Sequence, residues 1–106
     1  MKISRIEDYK NGWFVGNFSP TAFETKEFEV CYKFHKAGEK WDVHYHKLGT
    51  EINLLVEGEM IIQNKTLKSG DIFILYPYEI ADPEFIKDCV VLIIKTPSNT
   101  NDKYII

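Results

Sequence analysis

Between positions 28 and 35 the chain alternates. Phe28, Val30, Tyr32 and Phe34 fall on one side of a two-residue period, with Glu29, Cys31, Lys33 and His35 on the other. That period predicts a strand with one apolar face. Residues 41–46 repeat it, with Trp41, Val43 and Tyr45 opposite Asp42, His44 and His46. Trp41 and Tyr45 are thereby expected to point away from the histidines. Further strands are predicted over 2–6, 12–18, 51–56, 60–63, 66–67 and 72–75. Residues 89–95 are almost uninterrupted in apolar character and read as a strand buried on both faces. Asn11-Gly12, Glu57-Gly58-Glu59, Asn64-Lys65 and Ser69-Gly70-Asp71 are turn signals, and Pro77, Pro83 and Pro97 break the pattern. Residues 84–88 could form one helical turn. About nine or ten short strands at this spacing predict an all-β sandwich or barrel.

Composition points the same way. Ile, Val and Thr supply 25 residues and aromatics 15, against three alanines, a balance that favours strands over helices. A length of 106 residues suits a single domain over 1–106. The formal charge is −3, with no basic run, so nucleic acid and anionic membrane surfaces are not expected partners. The first residues hold no apolar stretch of secretory length, and Cys31 and Cys89 make no disulfide framework. A cytoplasmic protein with two buried, reduced thiols is the expectation.

Chemistry concentrates between Gly38 and Gly58. His44 and His46 lie two apart on a predicted strand, so both rings leave one face. Glu51 follows after a corner. Two imidazoles and a carboxylate with open positions suit Fe(II) and similar ions, although a His-x-His pair also occurs as a surface pair or a hydrogen-bonded core pair. Gly38, five residues, His44, one residue, His46, four residues, Glu51, six residues and Gly58 together match the first signature motif of the cupin superfamily. The resemblance covers roughly residues 28–95, flanked by N-terminal strands within 1–20 and a polar tail over 96–106. It implies a double-stranded β-helix, or jelly roll, in which His44, His46 and Glu51 hold a divalent metal (Fe, Mn, Zn or Ni). Asp42 is one group that could orient the imidazoles.

The second cupin motif is partial. Gly70-Asp71 opens it, Pro77 comes one residue late, and the second Gly and the ligand His are absent. Near that histidine's place stand Ala81 and Asp82. Asp82 is the candidate fourth ligand, against a turn residue before Pro83, and Glu79 is a second candidate. Tyr76 and Tyr78 at the barrel mouth, and His35 at a strand end, are candidate pocket residues or plain packing. The resemblance implies a small polar metabolite as ligand, sugar-related or a small acid, with the metal as Lewis acid. A ligand sensor without turnover and a barrel with a vacant metal site are the alternatives. A homodimer is expected, through sheet faces or an exchanged strand at residues 2–6.

Overall fold

A computed structural model describes residues 1–106. Eleven strands follow in chain order: β1 (Trp13–Gly16), β2 (Phe23–Glu24), β3 (Glu29–His35), β4 (His44–Tyr45), β5 (Thr50–Glu57), β6 (Glu59–Ile62), β7 (Lys65–Lys68), β8 (Ile72–Leu75), β9 (Glu84–Phe85), β10 (Cys89–Thr96) and β11 (Tyr104–Ile105). Six of them form one sheet in the order β2-β1-β3-β10-β5-β8. A second sheet has the order β7-β6-β9, and β4 pairs with β11. Every pairing is antiparallel except that of β1 with β2. The apolar core lies between the two larger sheets. Leu55, Leu75, Cys89 and Val91 come from the first, and Met60, Ile62 and Phe85 from the second. The arrangement is the all-β double-stranded β-helix expected.

Gly58 makes the β5–β6 corner possible. Its φ is +108°, and a Cβ there would run into the Asp88 carbonyl and Cys89. The motif's last glycine is thus required by sterics.

Three local expectations are corrected. Residues 2–6 form no strand. Instead the Asp8 carboxylate accepts the Arg5 N–H at 3.0 Å, and short 3-10 turns occupy Ile6–Asp8 and Lys10–Gly12. Residues 84–88 hold β9 rather than a helical turn, because β6 offers Met60 and Ile61 as pairing partners. On β10 Cys89, Val91 and Lys95 of the inward face are buried, and Val90, Leu92 and Ile94 are half-buried on the other.

The alternation left open which side of β3 faces inward. Its inward face is the polar one: Glu29, Cys31 and His35 are buried, while Tyr32 and Phe34 are 45% and 55% exposed. Cross-strand register explains this. Glu29 pairs with Lys95, which pairs with Glu51, so a row of charges crosses the barrel wall. Their opposite signs let the row be buried. On the outer face, Val30, Ile94, Ile52 and Ile74 form one cross-strand row, and Tyr32, Leu92, Leu54 and Ile72 form the next.

Candidate functional site

His44 and His46 are placed by β4, which is too short to hold itself. Two partners fix it. Ala81 exchanges backbone hydrogen bonds with His44 at 3.1 and 2.8 Å, and β11 pairs along the other edge. The loop from there to Glu51 is tied by Asp102. Its carboxylate accepts the N–H groups of Lys47, Leu48 and Gly49 at 2.9, 3.0 and 2.7 Å. Those bonds hold the Asp102 carboxyl below the usual range although burial opposes them. Glu51 then sits on the inward face of β5.

These residues line one cavity of about 570 Å³, together with His35. Much of its wall is apolar, including Trp13, Phe73, Phe85 and Ile93. Both motif histidines are buried. His44 Nδ1 lies 2.9 Å from the Asp42 carbonyl, which can only accept, so Nδ1 carries the proton and Nε2 the lone pair. It is the backbone of Asp42, not its carboxylate, that sets this tautomer. The rings of His44 and His46 stand nearly perpendicular, 5.3 Å between centroids. Burial, above all, and then the Lys95 ammonium push His46 down to about 4. Burial also lowers His44 and raises Glu51. Lys95 Nζ itself pairs with Glu29 at 2.9 Å, both side chains being buried.

His35 belongs to a second polar group on the same wall. Its Nδ1 lies 2.5 Å from Glu39 Oε2, which also accepts the Trp41 Nε1–H at 2.6 Å. Its ring stacks on Phe85 at 4.0 Å. Burial lowers His35, and the hydrogen bond to Glu39 opposes that shift.

The donor chemistry of His44, His46 and Glu51 suits a divalent ion, but their arrangement does not form a coordination site. Glu51 Oε2 stands 3.8 Å from His46 Nδ1, and no three His, Cys, Asp or Glu side chains are gathered so as to hold an ion. A buried ammonium, Lys95, already places positive charge beside them.

The remaining candidates lie elsewhere. Asp82 Oδ1 accepts the Gln63 N–H at 2.8 Å and lines no part of the cavity. Glu79 braces the preceding turn, accepting from Gln63 Nε2 at 3.2 Å and from the Tyr76 N–H at 3.4 Å. Tyr76 and Tyr78 are largely exposed, and Tyr78 stacks on Tyr45 at 6.0 Å. At the place of the missing histidine Ala81 lines the cavity. Trp41, expected to face away from the histidines, lines it too, because the loop carrying it is not a strand and keeps no two-residue alternation. Sequence reasoning missed Glu29, Lys33, Asn53, Lys95 and Lys103 in the wall. For Glu29 and Lys33 the signal was present in the polar side of the β3 alternation.

No family model matches the sequence, and no curated protein matches it. Solved structures do. An uncharacterized conserved protein with a double-stranded β-helix domain from Klebsiella pneumoniae superposes with a TM-score of 0.72 at 18% identity, over 98% of this chain and 90% of that one. KdgF from a Halomonas species gives 0.67 at 17% identity, over 73% and 74%. An RmlC-like cupin from Shewanella frigidimarina gives 0.66 at 20% identity, over 73% and 72%.

Proposed function

Because the chain has the cupin fold, a small barrel open to a central cavity, we propose that it binds a small polar metabolite inside that barrel. The observation that carries this reading is the cavity itself. At about 570 Å³ it is within the range of small-molecule sites, roughly 300–1,000 Å³. Its apolar wall suits the ligand's body, and the buried His44, His46 and Asn53 with the part-buried Glu51 suit its head. The groups can accept and donate hydrogen bonds at fixed positions, which gives orientation and selectivity.

A thermal-shift screen of the full chain with sugars, nucleotide sugars and carboxylic acids tests this, since a ligand for the folded state raises apparent stability. Hits are then titrated into an Ala81→Phe variant, whose ring would occupy the cavity opposite His44. We expect at least a tenfold loss of affinity. Hits that bind this variant undiminished would place the site elsewhere and overturn the reading.

A second reading retains a resident divalent ion at His44, His46 and Glu51. It is favoured by the first motif and by the tautomer of His44, whose Nδ1 proton is engaged and whose Nε2 is free for a ligand role. Elemental analysis of the protein as isolated, compared with His44→Ala, decides it. Close to one ion per chain, lost in the variant, supports the ion. The proposal also includes a homodimer through the outer face of the six-stranded sheet.

A further inference from the structure

We propose that Lys33 and Lys103 form an oxyanion site over Trp41, and that the cavity's ligand is a small organic acid bearing a carboxylate or phosphate. The proposal rests on the cavity reading above. Lys33 Nζ lies 5.2 Å and Lys103 Nζ 5.0 Å from the centroid of the Trp41 ring. The two ammonium groups are therefore at most about 10 Å apart, on long side chains that one anion can draw together. Neither has a carboxylate oxygen within 4.0 Å, whereas Lys95 is paired with Glu29. Both line the cavity.

The charge balance is local. The chain carries a net −3, yet four lysines line this cavity (Lys10, Lys33, Lys95 and Lys103) against two glutamates, Glu29 and Glu51. The fold brings them together from distant places. Lys33 is on the inward face of β3, Lys103 directly precedes β11, and Trp41 is in the intervening loop. The indole face holds the ammonium groups by its quadrupole. Its N–H is committed to Glu39, which fixes the ring. An anion docked beside the indole within reach of both ammonium groups makes charge-assisted hydrogen bonds to them. The apolar wall beside it, with Trp13, Phe73 and Phe85, accommodates a less polar body.

The test is calorimetric titration of the full chain with matched pairs: benzoate and benzyl alcohol, gluconate and sorbitol, glycerol 2-phosphate and glycerol. At least one acid should bind about tenfold or more tightly than its neutral partner, a margin typical of one charge-assisted contact. The carboxylate and phosphate arms show which oxyanion is preferred. A Lys33→Met/Lys103→Met double variant should erase the difference. Lys103→Gln alone, at an exposed position that carries no hydrogen bond, should reduce it without disturbing the fold. Lys65→Met, on a hairpin away from the cavity, should leave it intact. Equal affinity for acids and neutral partners overturns the oxyanion site, as does acid binding that survives both lysine variants. If neutral members bind and Ala81→Phe blocks them, the cavity reading stands without it. If no member binds at millimolar concentration, both fall.

Discussion

Single residues carry the order of the site, and Asp102 carries most of it. Its carboxylate is buried, and its three backbone partners belong to the loop joining His46 to Glu51. Replacing it with Ala would leave three N–H donors without an acceptor. We expect a loss of about 3 kcal/mol, with Asn recovering part of it. For a domain of this size that is a fall of roughly 12–24 °C in Tm, measured by thermal unfolding of both variants. Faster amide exchange at 47–49 should accompany it, and unchanged exchange there would show that the tether is not what orders the loop. The thiols are quiet by comparison. Burial pushes Cys31 up to about 12 and raises Cys89, so neither is a reactive thiolate near neutral pH.

At the scale of elements, the β3 strand teaches the most. Its two-residue alternation was legible, and so were its length and the turn that ends it. Which side faces inward was not. Tyr32 and Phe34 look like core residues by hydropathy, yet they project outward, because β10 and β5 place Lys95 and Glu51 in register with Glu29 on the inside. The outer face is correspondingly apolar, from Tyr32 and Phe34 across to Ile72 and Ile74, which are 66% and 40% exposed. Strand-borne charges are absent from its middle rows, so a like face of a second copy is a fitting cover, in the two-fold manner of most homodimers. Tyr32→Lys/Ile72→Lys should convert a dimer to a monomer in light scattering while preserving the β-rich circular dichroism. Wild-type chain that is monomeric at 100-fold micromolar dilution and at high concentration alike would remove the dimer from the proposal. The N-terminal segment differs for a simpler reason. Residues 2–6 do not alternate, since Ile3 and Ile6 stand three apart, and Met1 and Ile3 stay exposed.

For the molecule as a whole, burying polar groups in the barrel links stability to pH. His35, His44 and His46 all have their protonation disfavoured by burial, His46 down to about 4. Between that value and the ordinary histidine value near 6.5, the unfolded chain takes a proton that the folded chain refuses. Stability therefore falls as pH drops through this window. Glu51 opposes it, because burial raises its carboxyl and makes the folded chain hold a proton longer. We expect the three histidines to outweigh the one carboxyl. Tm measured with a chelator present should decline steadily from pH 7 to pH 4.5. A flat or rising profile would mean that the histidines are more hydrated than their burial implies.

The amino-acid order by itself determined the strands' period, most of their turns and the spacing of Gly38, His44, His46, Glu51 and Gly58. Those features depend on local sterics and on residues near in sequence, so they can be read along a line. Only the tertiary structure decided which face of β3 looks inward, that Asp82 points away, and that Asp102 holds the motif loop. It alone brought Lys33, Trp41 and Lys103 to one wall. A two-residue period says that a strand has two unlike faces, but packing one sheet on the other chooses between them. That choice was made by cross-strand charge pairing between segments some 60 residues apart, Glu29 with Lys95, which no local pattern records.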